Sequence, residues 1–359
     1  MEKGRRRQVV IVGAGDVAAR LVRIEQARWQ RLGVSPKRSP IRWLALVRSA
    51  QSAARARAAG MLPIAGDLDH LPTLRRAQAL AREAFSVLYL APPPNAGSED
   101  PRMRRWLAMP RRVVWPRRHG NLQLWRMLRS KALRTRRCIR LNHVYVSTTG
   151  VYGDCAGERI DETRRVRPQT DRAKRRVAAE RCWRKAGRFG FAPAAPGPAR
   201  GAVVLRAPGI YALERLPLER LRARLPVLVP EEDVYTNHIH ADDLARAIWR
   251  AVFRGRPGRV YNAVDEAAWT MGEYFDRVAD AFHLPRPPRL PRRELQQQIS
   301  PILYSFMTES RRIDNRRLRV ELGLRLRYPT PSALLGQEPI SAADRSDRSA
   351  NQPAQGRLF

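Results

Sequence analysis

Gln8-Val9-Val10-Ile11-Val12-Gly13-Ala14-Gly15-Asp16-Val17-Ala18 decides how this chain folds. Four apolar residues run straight into Gly-x-Gly-x-x-Ala, and Val17, Leu21 and Ile24 then recur at i, i+4 and i+7, the spacing of one helix face. A strand that turns abruptly into a helix in this way suits a dinucleotide, because a pyrophosphate needs bare backbone N–H groups at a helix N-terminus. Gly13 permits the tight turn, Gly15 lets a phosphate approach the backbone, and Ala18 lets helix and strand pack closely.

The pattern continues downstream. Ile41 to Val47 reads as a second strand, Ala53 to Gly60 as its helix, and Leu62 to Ala65 as a short third strand ending in Gly66-Asp67-Leu68. Phe85 to Ala91 reads as the fourth strand and Val144 to Ser147 as the fifth, with helices between them. Strands alternating with helices predict an α/β fold, a Rossmann-type doubly wound parallel sheet that binds its ligand outside the carboxyl ends of the strands. Arg48 follows strand two, where an acidic residue would accept the ribose 2′-hydroxyl of NAD. A guanidinium there suits a 2′-phosphate, so NADP is expected in preference to NAD.

Composition bounds the reading. Lys and Arg total 69 against 33 Asp and Glu, a formal net charge of +36, and lysine stands only at Lys3, Lys37, Lys131, Lys174 and Lys185. Nearly all the positive charge is therefore arginine, which fits either a solvated surface filled with one residue type or an anionic partner. From Pro101 to Gly153 there is no acidic residue, and basic residues accumulate beside Trp106, Trp115 and Trp125. Such a stretch can track a nucleic-acid backbone; a basic helix packed by its tryptophans on its own domain is the favoured reading. Cys138, Cys155 and Cys182 show no Cys-x-x-Cys spacing, so reduced thiols are expected rather than disulfides or zinc. No apolar run approaches the roughly 18 residues of a membrane span, which points to the cytoplasm.

Taken in order, Gly13 to Ala18, Gly66-Asp67-Leu68, Ser147-Thr148-Thr149-Gly150-Val151-Tyr152-Gly153, Leu205-Arg206-Ala207-Pro208-Gly209-Ile210-Tyr211 and Ile239-His240-Ala241-Asp242-Asp243-Leu244-Ala245 give the chain a family likeness. It resembles the NAD(P)-dependent epimerase/dehydratase family, the extended and atypical branch of the short-chain dehydrogenase/reductases, over residues 8 to 335. The resemblance implies an oxidoreductase or epimerase/dehydratase acting on a small carbonyl or hydroxyl substrate. It places Asp67 and Leu68 by the adenine, Ala91 and Pro208 along the cofactor, Thr148 beside the nicotinamide, and Thr149, Tyr211, Arg215 and His238 around the substrate. Relatives often pair through helices flanking the sheet, so a homodimer is a further expectation.

The likeness breaks where the chemistry should be. The family carries Tyr-x-x-x-Lys on the helix after strand five, preceded by proline and followed by glutamate. Here that stretch is Pro168-Gln169-Thr170-Asp171-Arg172-Ala173-Lys174-Arg175-Arg176-Val177-Ala178-Ala179-Glu180, which puts Arg172 at the tyrosine and Arg176 at the lysine. A second frame, Thr170 with Lys174, keeps a lysine and still lacks the phenol. Guanidinium is not deprotonated in proteins, so Arg172 cannot donate the proton. Two arginines at i and i+4 can instead present adjacent forks to a carboxylate or phosphate, making an anionic substrate attractive. Proton transfer then falls to Thr148, Tyr152 or Tyr211, with Tyr152 the better-placed phenol. Two alternatives stand beside the enzyme: an NADP-binding sensor with little turnover, and a nucleic-acid-associated protein using the basic insert.

The expected organisation is a basic arm over residues 1–7, a dinucleotide domain over 8–200 with an insert at about 101–138, a mainly substrate-binding part over 201–335, and a disordered polar tail over 336–359. Within the second part, Arg215 to Leu218 reads as the start of a helix, Tyr235 to His240 as a strand, Asp242 as a helix N-cap, Tyr261 to Asp265 as a strand and Glu309 to Asn315 as part of the last helix. His238 and His240 share a face at period two, but no carboxylate–histidine spacing completes a metal site.

Overall fold

The computed structural model describes residues 6–35, 38–108, 142–188 and 201–336. The first five residues of the basic arm, the insert from residue 109 and the polar tail from residue 337 lie outside the described residues, and with them the expectations placed there. The chain divides into two compact units. One comprises Met1–Thr148, Thr170–Arg206 and Ala245–Tyr261; the other comprises Thr149–Gln169, Ala207–Leu244 and Asn262–Phe359.

The first unit is built on β1 (Arg7–Val12), β2 (Ile41–Val47), β3 (Leu62–Ala65), β4 (Ser86–Tyr89) and β5 (Asn142–Thr148). Further strands are β6 (Arg159–Ile160), β7 (Gly201–Ala207), β8 (Gly209–Tyr211), β9 (Val227–Leu228), β10 (His238–His240), β11 (Val260–Asn262), β12 (Arg289–Leu290) and β13 (Arg312–Ile313). Seven of them form one sheet in the order β11-β7-β5-β4-β1-β2-β3, and β1 pairs in parallel with both β2 and β4. Strand order reverses at β1 between β2 and β4, which makes the carboxyl end of β1 the switch point of the doubly wound sheet. Pro63 is tolerated in β3 because that strand is the edge.

Helices α1 (Asp16–Arg31), α2 (Ala50–Ala58), α3 (Arg75–Glu83) and α4 (Pro101–Leu107) follow β1 to β4 in turn. The stripe that α1 buries is Ala18, Leu21, Val22 and Glu25, one position away from the Val17, Leu21, Ile24 face that periodicity suggests. Ala18 has to face inward because only a small residue lets the first turn of the helix lie close on the sheet. Helix α2 starts three residues before its expected Ala53. Ser49 caps it, accepting from the Ser52 amide at 3.2 Å while the Ser52 hydroxyl accepts from the Ser49 amide at 3.1 Å. Strand β4 stops at Tyr89 instead of Ala91, since the following Pro92, Pro93 and Pro94 carry no N–H to extend a ladder.

The second unit holds three two-stranded parallel pairs, β10 with β8, β12 with β9 and β13 with β6. Its apolar core gathers Leu221, Val227, Leu228, Phe275, Val278 and Leu295. The expected strand Tyr235 to His240 narrows to β10, with Tyr235 making only an isolated antiparallel bridge to Thr270. The helix expected to start at Asp242 begins at Ala241, and the Asp242 amide donates to His240 Nδ1 at 3.2 Å, so His240 does the capping assigned to the aspartate. The last expected strand lies at Val260–Asn262, and Glu309 to Asn315 contributes β13 rather than a helix. The expected helix start at Arg215 resolves into a 3₁₀ turn at Leu213–Arg215 and a short helix at Leu218–Arg222.

A buried ion pair ties the long helix Asp171–Arg188 to β7. Arg206 donates from Nε to Glu180 Oε1 at 3.0 Å and from Nη2 to Oε2 at 2.7 Å, with side chains only 6% and 5% exposed. Removing one partner strands a charge in the core, so Glu180→Ala should cost about 3–5 kcal/mol in urea unfolding, whereas Glu180→Leu with Arg206→Met should recover most of it. A single-variant cost below about 1 kcal/mol would mean that water reaches the pair.

Candidate functional site

The turn after β1 is built around two glycines with different tasks. Gly13 has φ +92°, and a Cβ on it would lie 2.4 Å from the Ala91 nitrogen and 2.7 Å from the Ala91 Cα, so neither the conformation nor the space admits a side chain. Gly15 is the N-cap of α1, exposed, with no side-chain cap, and a Cβ there would meet nothing within 4 Å. An uncapped helix start below open space leaves backbone N–H groups for an anion. Asp16 would oppose one, but Arg20 Nε donates to both its oxygens at 3.0 and 3.1 Å and offsets that charge.

The carboxyl ends of β2 and β3 meet beside this turn. Gly66 N donates to Val47 O at 3.0 Å, which sets Gly66-Asp67-Leu68-Asp69 next to Arg48. Arg48 is exposed, and its charge helps hold the Asp69 carboxyl below the usual range, after the dominant hydrogen bond from Arg102. Leu68 is half-buried, and Ala91 is buried under Gly13.

At the end of β5, Thr148 is half-buried, whereas Ser147 is buried and its Oγ has no hydrogen-bond partner among the described residues. On the helix Asp171–Arg188, Arg172 is exposed and Arg176 is half-buried. Arg176 Nη1 donates to the Tyr145 hydroxyl and to the Val146 carbonyl of β5, both at 3.1 Å. The guanidinium is therefore anchored on the sheet. It acts in a buried polar node with Tyr89, Tyr145 and Asp100. Burial raises the pKa of all three, and Arg176 counteracts that effect at each. Asp100 caps α4 through Oδ1, accepting from Met103 N at 2.9 Å, while its Oδ2 and the Tyr89 hydroxyl have no partner among the described residues.

In the second unit, Thr149 and Tyr152 are buried in a 3₁₀ turn, Thr149–Tyr152. The Tyr152 hydroxyl donates to Asn262 Oδ1 at 2.7 Å, and Asn262 is itself held by Asp314 O at 3.2 Å and Glu162 Oε1 at 2.8 Å. Tyr211 is buried, its hydroxyl 3.5 Å from Tyr328 O, and burial together with Asp265 and Asp243 pushes its phenol far above the usual range. His238 lies against Tyr274 with ring centroids 4.1 Å apart and meets Tyr211 edge-on at 6.2 Å. Pro208 is half-buried and Arg215 exposed.

The fold has close counterparts among solved structures. A functionally unknown conserved protein from Silicibacter pomeroyi superposes with TM-score 0.63 at 24% identity, covering 94% of this chain and 98% of its own. The NAD complex of dTDP-glucose 4,6-dehydratase from Bacillus anthracis gives 0.62 at 12% identity over 95% and 98%, and the UDP-glucose complex of UDP-glucose 4-epimerase from Thermotoga maritima gives 0.63 at 12% over 92% and 96%. The chain shares the fold of the epimerase/dehydratase structures. No protein-family model and no curated protein matches the sequence.

A phenol, Tyr145 of β5, contacts Arg176. Sequence reasoning missed Tyr145 because a tyrosine in an apolar strand reads as core, which it also is. It missed Asn262, Asp265, Arg102 and Asp69 as well, since no local pattern distinguishes them. No group of three or more His, Cys, Asp or Glu is arranged to hold a metal among the described residues, and none of the helices described is long and apolar enough to cross a membrane.

Burial without a counter-charge pushes the His238 pKa from 6.5 down to about 4. The folded state therefore disfavours the proton that the unfolded chain binds, so this contribution is flat above about pH 6.5 and is lost as pH falls toward 4. The loss should reach about 3 kcal/mol at pH 4, read as a slope in urea-unfolding free energy that His238→Gln removes. Identical pH profiles for the two proteins would mean that His238 titrates normally.

Proposed function

We propose that the protein is an NADP-dependent oxidoreductase or epimerase/dehydratase acting on a small carbonyl or hydroxyl substrate that carries a carboxylate or phosphate. The observation that carries this reading is the exposed, uncapped start of α1 at Gly15, where a Cβ would meet nothing within 4 Å. Gly13 and Gly15 would hold the pyrophosphate, Arg48 the 2′-phosphate, and Asp67, Leu68 and Ala91 the adenine end. A bound nicotinamide would supply hydride transfer. The NAD and UDP-glucose in the two complexes of like fold support a dinucleotide and a polar small molecule as ligands.

The chain's own residues then divide the remaining work. Thr148, half-buried at the end of β5, orients the reacting oxygen and handles its proton. Arg172, exposed on its helix, offers a charge-assisted fork to the anionic group. Tyr152, engaged with Asn262, shapes the substrate side with Thr149, Tyr211, Arg215 and His238. A sensor with little turnover is the second reading, favoured by one observation: burial pushes the phenols of Tyr145 and Tyr211 above their usual range, which leaves neither poised as a general acid near neutral pH.

Calorimetric titration tests the cofactor. NADP should bind more tightly than NAD, and Arg48→Ala should remove about 1.5–3 kcal/mol of that preference, roughly ten- to hundredfold. Equal affinities in both proteins would exclude Arg48 from the site. Turnover separates enzyme from sensor. Wild type should oxidise NADPH with carboxylated or phosphorylated carbonyls, and Arg172→Ala should weaken substrate binding by roughly 2–5 kcal/mol. If wild type consumes no cofactor with any of them while Arg172→Tyr with Arg176→Lys gains reductase activity on neutral carbonyls, the sensor reading takes over.

A further inference from the structure

Two arginines of one helix reach a single carboxylate at the carboxyl ends of β2 and β3, and a third adds its charge to it. Arg102 Nε donates to Asp69 Oδ1 at 2.9 Å and to Oδ2 at 3.1 Å, and Arg105 Nη1 reaches Leu68 O at 3.3 Å and Asp69 Oδ1 at 3.5 Å. Arg48, exposed at the end of β2, adds its charge to the same carboxylate. Arg102 and Arg105 are i and i+3 on α4, so they share a helix face. Their position is rigid: Met103 and Trp106 are buried, and the Gln78 amide of α3 donates to the Arg105 carbonyl at 2.9 Å and the Trp106 carbonyl at 3.1 Å.

The acceptor is held as firmly as the donors. Asp69 N donates to Asp67 Oδ1 at 2.9 Å, and Asp67 N donates to Thr73 Oγ1 at 2.8 Å, which locks the turn that presents Asp69. The Asp67 carboxylate is thus engaged within its own turn and 3.6 Å from His70 Nδ1. A single bidentate arginine would satisfy Asp69, and further guanidiniums add mutual repulsion that one carboxylate does not cancel. The Asp69 and Arg102 side chains remain 35% and 22% exposed, so a solute can reach them. A surplus of fixed positive charge, accessible and at the carboxyl ends of a doubly wound sheet, calls for a dianion.

We infer that Arg102 and Arg105 of α4 join Arg48 in a three-arginine receptor for the cofactor's 2′-phosphate, and that Asp69 keeps the Arg102 fork in place until the phosphate displaces it. The inference rests on the NADP reading and extends it from one exposed arginine to a receptor assembled from two separate βα connections. A phosphate fits the same forks as the carboxylate it replaces, with more charge and more acceptor atoms. Asp69 holds its own proton weakly beside Arg102, so it remains an anion and a competitor at neutral pH. Affinity for the 2′-phosphate is then set by that competition, and Asp69 is a specificity-determining residue together with its two partners.

Two probes that differ only in the phosphate, 2′,5′-ADP and 5′-AMP, read this directly by calorimetry on the full chain. Wild type should bind 2′,5′-ADP at least tenfold more tightly. Arg102→Gln and Arg105→Gln should each reduce that preference severalfold to tenfold while leaving 5′-AMP unchanged, which also reports that the variants are folded. Asp69→Asn should raise 2′,5′-ADP affinity severalfold, again without moving 5′-AMP. A preference lost only in Arg48→Ala and retained in both α4 variants would overturn the three-arginine receptor while leaving NADP in place. A fall in 2′,5′-ADP affinity on Asp69→Asn would overturn its role as a displaceable anion, and no preference in wild type would overturn the receptor and the NADP reading together.

Discussion

Backbone packing beneath Gly13 is the constraint on which the rest of the site depends. With φ +92° and the Ala91 backbone where its side chain would lie, position 13 admits only glycine, and the turn that results brings the end of β1 onto the end of β4. Leu90 N donates to Val12 O at 2.7 Å across the same junction. That contact aims the start of α1 past the sheet, leaves Gly15 open, and places the β2 and β3 ends beside the opening. Without it the helix start would have no fixed relation to the strands whose ends carry Arg48, Asp69 and Thr148.

The helix Asp171–Arg188 illustrates what an arginine does when its helix lies on the sheet. Arg176 has a planar, always-charged head with more donors than a lysine ammonium, and the sheet uses them to bind the Tyr145 hydroxyl and the Val146 carbonyl. Its charge also offsets part of the burial penalty on Asp100 and Tyr89. Even so, Asp100 Oδ2 and the Tyr89 hydroxyl find no partner among the described residues. Arg172, one turn earlier, is exposed.

The excess of arginine has a structural side as well. Arg206 with Glu180, Arg289 with Asp276, and Arg311 with the Gly153 carbonyl show guanidiniums stapling segments within each unit, the first of them in full burial. The first pair uses the bidentate geometry that lysine lacks. The cluster at Asp69 differs from them because Arg102, Arg105 and Arg48 all act on one half-buried carboxylate that solvent reaches.

What the sequence by itself determined is whatever depends on neighbours along the chain. The apolar run into Gly-x-Gly-x-x-Ala, the alternation of strands and helices, and Arg48 after strand two were legible because turn sterics and side-chain periodicity act over a few residues. Boundaries set by local devices with weaker patterns, such as the Ser49–Ser52 cap and the stop before Pro92, needed the structure. Tertiary structure alone decided the rest. It showed that Arg176 turns to Tyr145, that Tyr152 is engaged by Asn262 from 110 positions along the chain, and that Arg102 reaches Asp69 across 33. Hydrogen bonds between side chains on different strands and helices follow from where the sheet order brings those elements. In a chain with so many arginines, no local pattern marks the few whose partners lie on another element.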